Sequence, residues 1–249
     1  MKKTQLYLST TAGDAEACAG AYGVGIEIAE FCTAWNMDDE YAATDAALRK
    51  KLEGVERRLL HGPFNELFPC AIDPQARALA AKRYRQAIRL ARHYGASKVI
   101  IHGGYHPWIY YPQWYTEQSV VFWKEFLKED PGVELVLENV FETDPAWLAG
   151  IVQAVDDERL RLCLDVGHAH AYSKAPVMDW LEVCAPWISH FHIHNNDTTW
   201  DLHNPLDQGT IPMTAFLEKA ARLCPDATYT LELTEAESSL RWLAEQGLL

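Results

Sequence analysis

The sequence predicts a (β/α)8 barrel, because strand-like and helix-like segments alternate along the whole chain of 249 residues. Several strand candidates are almost continuously apolar, such as Val99–Ile101 and Leu135–Leu137. Such runs are typical of parallel strands that are buried on both faces. One barrel of this kind needs about 250 residues, so we expect a single domain over residues 1–249.

The predicted strands are short apolar segments bounded by polar turns. In chain order they are Gln5–Ser9, Gly25–Ile28, Glu56–Leu60, Lys98–His102, Glu134–Glu138, Arg161–Asp165, Ile188–His192 and Thr228–Glu232. The clearest helical pattern between them is Pro74–Tyr94. Asp73 precedes its first-turn proline as an N-cap, and Gly95 follows its last residue, which are ordinary start and stop signals. Asp144 and Pro145 begin another helix in the same way.

An open, doubly wound sheet is the alternative fold for this alternation. That fold calls for a glycine-rich phosphate loop after the first strand. Here the segment after the first strand reads Ser-Thr-Thr-Ala-Gly over residues 9–13, which lacks that pattern. The barrel is therefore the preferred interpretation.

The amino-acid composition is typical of a globular protein and disfavours binding to nucleic acid or to membranes. With 49% hydrophobic and 23% charged residues, the chain can bury a large core. Its 22 basic and 35 acidic residues give a formal charge of −13, which disfavours binding to nucleic acid or anionic membranes. We expect no membrane span and no signal peptide. The six cysteines form no Cys-x-x-Cys pair, which indicates reduced thiols in a cytoplasmic protein.

Histidines cluster where predicted strands end. Nine of the ten lie at a strand end or in the loop that follows: His61, His102, His106, His168, His170, His190, His192, His194 and His203. Carboxylates occupy equivalent positions at Glu138, Asp165, Asp201 and Glu232. Imidazole and carboxylate together form the ligand mixture that divalent zinc, manganese or iron prefers. The pattern predicts a metal-dependent enzyme.

Six of these residues end successive strands, from the third to the eighth. They are His61, His102, Glu138, Asp165, His192 and Glu232, at spacings of 41, 36, 27, 27 and 40 residues. Each spacing fits one strand–helix unit, and the active site of a barrel lies at the carboxyl ends of its strands. We therefore expect all six side chains to converge on one mouth.

Seven segments in this order resemble the xylose isomerase-like barrels, and within them the endonuclease IV branch (AP endonuclease family 2). They are His61-Gly62-Pro63-Phe64, His102-Gly103-Gly104, Glu138-Asn139, Asp165-Val166-Gly167-His168, His190-Phe191-His192, Asp201-Leu202-His203 and Leu231-Glu232. The resemblance covers most of the chain and implies the same barrel fold. Order and spacing carry it, since no single motif is specific.

The resemblance also implies a site for one to three divalent cations, with Glu138 bridging two of them. The implied ligands are His61 and His102 for one metal, Asp165, His192 and Glu232 for the second, and His168, Asp201 and His203 for the third. In the seventh strand, His190, His192 and His194 alternate with apolar residues and so face one side. The family's His-Phe-His pattern favours His192 as the ligand. His194 stays an alternative, because His194-Asn195-Asn196-Asp197 resembles the endonuclease branch's His-x-Asn-Asp segment.

The loops at the predicted mouth carry aromatic residues that can stack on sugar rings. Candidate substrate contacts are Glu27, Trp35, Phe64, Tyr105, Trp108, His194 and Trp200. A packing cluster or a homo-oligomer contact explains the aromatic residues equally simply, and Glu27 is also a candidate buried structural carboxylate. His106 and His170 are interpreted as surface or supporting residues.

Three functions fit these features. The first is a carbohydrate isomerase or epimerase in which Glu138, Glu232 and His168 are catalytic. The second is a multi-metal phosphoester hydrolase of the endonuclease IV type, and the third is a metal-binding scaffold. The loops after strands contain one basic residue, Lys174, and the endonuclease branch's arginine-bearing loop reads Phe-Cys-Thr-Ala-Trp-Asn at positions 31–36. DNA is therefore disfavoured as substrate.

Some of these features favour a hydrolase, and others favour an isomerase or epimerase. Ketose epimerases carry an arginine after the seventh strand, and none occurs in Asn195–Leu202. They also use fewer metal ligands than this chain offers, which favours hydrolytic chemistry. The lack of basic residues favours a small, uncharged substrate, so we expect a carbohydrate isomerase or epimerase that binds neither nucleic acid nor membranes.

Overall fold

The computed structural model describes residues 2–249 and contains a closed barrel of eight parallel strands in the order β1 to β8. The strands are β1 Leu6–Ser9, β2 Gly25–Ile28, β3 Arg58–His61, β4 Lys98–His102, β5 Glu134–Glu138, β6 Leu160–Asp165, β7 Ile188–Ile193 and β8 Thr228–Leu231. β1 pairs with β8 through the register Tyr7 to Thr230, which closes the barrel. The predicted fold is confirmed.

Helices follow the strands and cover the outside of the barrel. They are α1 Ala15–Tyr22, α2 Ala34–Met37, α3 Tyr41–Lys51, α4 Pro74–Tyr94, α5 Pro112–Phe126, α6 Pro145–Val155, α7 Val166–Tyr172, α8 Val177–Cys184, α9 Met213–Leu223 and α10 Glu237–Glu245. None of the helices in residues 2–249 is long and apolar enough to cross a bilayer.

The helix boundaries agree with their local sequence signals. Asp73 caps α4, since its Oδ1 accepts a hydrogen bond from the Gln75 amide at 2.6 Å, and Gly95 ends α4 with a φ of 68°. Asp144 caps α6 by accepting from the Ala146 amide at 2.9 Å. Each cap satisfies a backbone amide that the helix itself leaves free.

Strands β2, β4 and β5 have the predicted bounds, and the ends of the other five strands differ from the prediction by one or two residues. β3 is shifted toward the carboxyl end, to Arg58–His61, because residues before it still belong to the turn that follows α3, where the Val55 amide donates to the Leu52 carbonyl. β7 continues to Ile193 and β8 stops at Leu231, one residue before Glu232. The shift in β3 places His61 within the strand.

Apolar side chains form two clusters. The outer cluster, between strands and helices, includes the fully buried Trp123, Trp180 and Phe216. The inner cluster consists of five residues: Tyr7, Leu59, Ile100, Val136 and Cys163. They belong to β1 and to β3 through β6. The remaining strands contribute polar side chains to the interior at this level.

Candidate metal centre

The structure brings all nine predicted ligands together at the carboxyl end of the barrel. Four of them end strands β3 to β6, one lies in β7, one in α7, two in the loop between β7 and α9, and one directly after β8. In that order they are His61, His102, Glu138, Asp165, His192, His168, Asp201, His203 and Glu232. We call this set the candidate metal centre.

Glu138 lies in the middle of the centre and is 1% exposed. Its Oε2 atom is 3.3 Å from Nε2 of His61 and 3.5 Å from Nε2 of His102. Its Oε1 atom faces the other way, at 3.3 Å from Nδ1 of His168 and 3.3 Å from Nδ1 of His192. The two carboxylate oxygens therefore serve two different groups of imidazoles, as a bridging ligand does.

Three carboxylates lie around His192: Glu138 at the end of β5, Asp165 at the end of β6 and Glu232 directly after β8. Nδ1 of His192 is 3.3 Å from Glu138 Oε1, 3.8 Å from Asp165 Oδ2 and 3.4 Å from Glu232 Oε2. The Glu232 side chain is 15% exposed, whereas His192 and Asp165 are fully buried, so Glu232 lies on the solvent side. One oxygen of each of the three carboxylates therefore lies within 3.8 Å of the same imidazole nitrogen.

A third group surrounds Asp201. Its Oδ2 atom lies 3.1 Å from Nε2 of His168 and 3.0 Å from Nε2 of His203. The backbone of His203 has a φ of 48°, in the left-handed region that costs a non-glycine residue free energy. Strain of this kind persists only where surrounding contacts hold the residue in place.

His194, the alternative ligand of β7, also lies at the centre. Its Nε2 atom is 3.1 Å from Oδ1 and 3.2 Å from Oδ2 of Asp165, and its ring stacks on His203 at a centroid distance of 4.0 Å. A Cβ atom on Gly167 would lie 1.8 Å from the His194 ring. The glycine at the start of α7 therefore gives His194 its space.

Three of the histidines are oriented in the same way. Nδ1 lies 2.9 Å from the Gly62 carbonyl in His61, 2.9 Å from the Asn139 carbonyl in His168, and 2.8 Å from the Glu232 carbonyl in His203. A carbonyl only accepts, so Nδ1 carries the hydrogen and Nε2 keeps its lone pair in the neutral ring. Metal-binding histidines commonly use their second nitrogen in this way.

Burial and neighbouring charges have opposite effects on the pKa values of the residues in the centre. Burial raises the pKa of Glu138, but the facing imidazoles of His192 and His102 outweigh it and hold that pKa well below its usual range. Burial likewise opposes charge on His168, yet Asp165 and Asp201 hold the pKa of His168 well above its usual range. Burial dominates at His102 and lowers its pKa to about 3. Ionised carboxylates thus attract positive charge to this site.

Buried polar atoms without hydrogen-bond partners test whether a cation fits here. Among the described residues they include Glu138 Oε1 and Oε2, His192 Nδ1, His194 Nδ1 and Asp201 Oδ1. An unsatisfied buried polar atom is costly, and these five lie within the candidate metal centre or directly beside it. Nitrogen and carboxylate oxygen are suitable donors for zinc, manganese or iron, so these residues fit a divalent cation.

Most of the predicted substrate residues lie at the mouth. Trp35 is 61% exposed, Trp108 92% and Trp200 64%, and Phe64 stacks on His102 at 4.3 Å between ring centroids. Tyr105 lies elsewhere: it is buried against Tyr115 and Trp147 in the outer cluster. The aromatic run after β4 therefore divides into a buried anchor and an exposed tip.

Two residues at the centre have contacts that the sequence did not reveal. Glu27, a candidate substrate contact or buried structural carboxylate, is 1% exposed and hydrogen-bonds to His190 and His192. Cys32 Sγ lies 3.3 Å from Nδ1 of His61. No local pattern marks either contact, because each joins residues far apart in the chain.

Comparison with known proteins agrees with this arrangement. A family model described as xylose isomerase-like TIM barrel matches residues 15–246. The chain therefore belongs to the xylose isomerase-like TIM barrel family, as its motifs predicted.

One curated relative is the uncharacterized protein MJ1311 of Methanocaldococcus jannaschii, 29% identical over 185 residues. The match covers 70% of this chain and 63% of the relative, so the chain spans slightly less than two thirds of that protein. Its description states no activity.

Three solved structures share the fold. The TTHB071 protein of Thermus thermophilus, from a crystal soaked with ZnCl2, is 25% identical with a TM-score of 0.79, covering 98% of both chains. A D-tagatose 3-epimerase-like protein is 23% identical with a TM-score of 0.80, covering 98% of this chain and 97% of that one. D-psicose 3-epimerase from Clostridium cellulolyticum, solved with D-tagatose, is 17% identical with a TM-score of 0.68, covering 91% and 84%.

Proposed function

We propose that the protein is a divalent-metal-dependent isomerase or epimerase of a small carbohydrate. The observation that carries the proposal is the convergence of Glu138, Asp165 and Glu232 on Nδ1 of His192, at 3.3, 3.8 and 3.4 Å. Three carboxylates and one imidazole can hold a single cation and leave room for two substrate oxygens. The names of the epimerase-like structural neighbours agree with this chemistry.

The chain's own residues have distinct tasks in such a reaction. A bound divalent cation supplies Lewis-acid polarisation of a carbonyl and its adjacent hydroxyl. Glu138, held ionised, would accept a proton from the substrate carbon; Glu232 on the solvent side would take a proton from water and deliver it, and Glu138 would then return its proton to solvent. His168, at 3.3 Å from Glu138 Oε1, holds a substrate oxygen beside the reacting carbon. These assignments follow from burial and position.

The surroundings favour a neutral substrate. In the described chain, Lys174 is the single basic residue in the loops that follow strands. Tyr172 stacks on His168 with a centroid distance of 6.1 Å and contacts Trp200 edge-on at 6.1 Å. This aromatic side of the mouth offers ring faces to a sugar and no cation to a phosphate. A small uncharged carbohydrate fits these walls.

A second candidate, a multi-metal phosphoester hydrolase, is favoured by one specific observation. His61 and His102 converge on Glu138 Oε2, the carboxylate oxygen that does not face His192, and His168 and His203 converge on Asp201. The centre thus offers ligands for a cation on each side of the central one. Cations about 3.5–4 Å apart are suited to hydrolysis.

Metal content and turnover together separate the two candidates. We expect wild-type protein to hold one tightly bound metal and to turn over one of a panel of ketoses. In the isomerase, His61→Ala keeps that metal, whereas His106→Ala, a mouth histidine that packs on Trp108 and Phe141, serves as control. Loss of one of two metals in His61→Ala, together with cleavage of a phosphodiester by the wild type, would establish the hydrolase instead.

Nucleic acid gives a second test. With a formal charge of −13 and one lysine in the strand-following loops, we expect weak or no binding to abasic duplex DNA at physiological salt. A gel-shift assay and an incision assay measure this directly. Submicromolar affinity with incision at the abasic site would contradict the proposed substrate class.

A further inference from the structure

Glu27 is a buried carboxylate just below the candidate metal centre, and no step of the proposed reaction uses it. Its Oε1 atom is 3.0 Å from Nε2 of His192. Its Oε2 atom is 3.2 Å from Nε2 of His190 and accepts a hydrogen bond from the Thr230 hydroxyl at 2.5 Å. Because β1 and β8 separate β2 from β7 in the sheet, the contacts to the histidines cross the interior of the barrel.

The donors and acceptors of this network fix the hydrogens. An ionised carboxylate only accepts, so Nε2 of His190 and Nε2 of His192 must each carry a hydrogen. The Thr228 hydroxyl, 2.7 Å from Nδ1 of His190, then donates to that nitrogen. Both oxygens of Glu27 and both ring nitrogens of His190 then have hydrogen-bond partners.

The contact with Glu27 also determines which ring nitrogen of His192 carries the hydrogen. With the hydrogen on Nε2, the neutral ring has its lone pair on Nδ1. Nδ1 is buried, has no hydrogen-bond partner, and points at Glu138 and Glu232. His61, His168 and His203 are oriented through backbone carbonyls, which cannot be changed by substitution. In His192, by contrast, the nitrogen that points away from the other carboxylates of the centre faces the carboxylate of Glu27 and not a backbone carbonyl.

We propose that Glu27 is a positioning residue of the metal site, which holds the hydrogen of His192 on Nε2 and presents the Nδ1 lone pair to the cation. This inference rests on the proposed metal site. A carboxylate behind a metal-binding imidazole fixes its tautomer and strengthens it as a donor. It also explains why a charged group is retained among apolar strands, where an isolated carboxylate is costly.

Substitution of Glu27 tests the assignment through metal affinity. Glu27→Gln keeps the size of the side chain and removes the negative charge behind His192. We expect the dissociation constant for zinc, measured by competition with a chromophoric chelator, to rise by about 10- to 100-fold. The control is Glu142→Gln. Glu142 is equally buried, but its oxygens accept from the Tyr115 hydroxyl and the Val140 amide and not from an imidazole of the centre.

The outcomes are distinct. A large loss of affinity in Glu27→Gln with a change of less than twofold in Glu142→Gln supports the assignment. Equal losses in both variants, or none in Glu27→Gln, overturn it. If the wild-type protein binds no zinc, the metal site is wrong, and so are the proposed function and the role of Glu27. Zinc binding without turnover of any ketose contradicts only the proposed function.

A measurement on the wild type covers the case in which Glu27→Gln does not fold. The ¹⁵N chemical shifts of histidine side chains distinguish a protonated from an unprotonated ring nitrogen. In metal-free protein labelled at histidine, we expect His192 to carry its hydrogen on Nε2, and zinc to shift the resonance of Nδ1. A neutral His192 with its hydrogen on Nδ1 would overturn the assignment.

Discussion

The two faces of β7 differ in their side chains: the outward face is apolar and packs against neighbouring aromatic residues, whereas the inward face carries the histidines of the interior. Phe191 points outward, stacks on Tyr229 at 4.9 Å and contacts Phe216 of α9 at 5.8 Å. His190 and His192, its neighbours in sequence, point inward to Glu27. Side chains alternate between the faces of a strand, so one segment can contribute to the outer cluster and to the metal centre. We infer that the outer cluster stabilises the fold, whereas the interior can carry costly polar groups.

The largest effect on stability is expected in the outer cluster. Phe216→Ala removes a fully buried ring and should lower the free energy of unfolding by about 3–5 kcal/mol. The melting temperature should fall by roughly 10 °C in thermal unfolding of the metal-free protein. Phe216→Leu, which keeps most of the volume, should cost less than about 1.5 kcal/mol. Equal losses would mean that packing at this site does not depend on the ring.

Removal of metal should have the next largest effect. A cation that binds only the folded protein stabilises it by about 2.7 kcal/mol at a concentration one hundred times its dissociation constant. We expect chelation to lower the free energy of unfolding by that order and Phe216→Ala to keep its metal affinity. Denaturant unfolding with and without zinc measures both. Identical curves would show that the interior contributes nothing through a cation.

Glu138→Gln should change stability less and function more. The amide keeps the volume at the centre, so we expect the free energy of unfolding of metal-free protein to change by less than about 2 kcal/mol. Metal content and turnover should be lost, because Glu138 faces both groups of imidazoles. Glu232→Gln should behave alike, and the control is Glu142→Gln. A Glu138→Gln variant with full metal content and activity would disprove the site assignment.

The smallest effect on stability is expected at the rim. Trp108 is 92% exposed, and Trp108→Ala should change the free energy of unfolding by no more than about 0.5 kcal/mol. If its ring stacks on substrate, KM should rise by roughly two- to tenfold with little change in kcat. Tyr105→Ala, in the buried part of the same segment, should instead destabilise the protein. An unchanged KM in Trp108→Ala would leave this ring without a role in binding.

Much of the architecture could be predicted from the sequence because it depends on local periodicity. Buried apolar runs marked all eight strands to within two residues, and aspartate–proline pairs marked the starts of α4 and α6. Since strands in a closed parallel barrel end on the same side, their terminal residues had to meet. The convergence of the six candidate ligands at strand ends follows from that rule, whereas His168, Asp201 and His203 were expected from the resemblance to the family.

Tyr105 and Glu27 show where local patterns stop being informative. Tyr105 was grouped with Trp108 because both lie in one aromatic run, yet one ring is buried and the other is exposed. Packing against Tyr115 and Trp147, not composition, separates them. Glu27 appeared as a polar residue near a strand end, and its partner His192 lies 165 residues away.

The sequence by itself determined the barrel and the set of candidate ligands, because a period of two and the length of a strand–helix unit fix which residues end each strand. The tertiary structure alone decided how these residues face one another. It divided the oxygens of Glu138 between two groups of imidazoles and placed Glu27 behind His192. The contact between Glu27 and His192 crosses the barrel, because β1 and β8 lie between their strands, and closure of the sheet between β1 and β8 brings it within hydrogen-bonding distance.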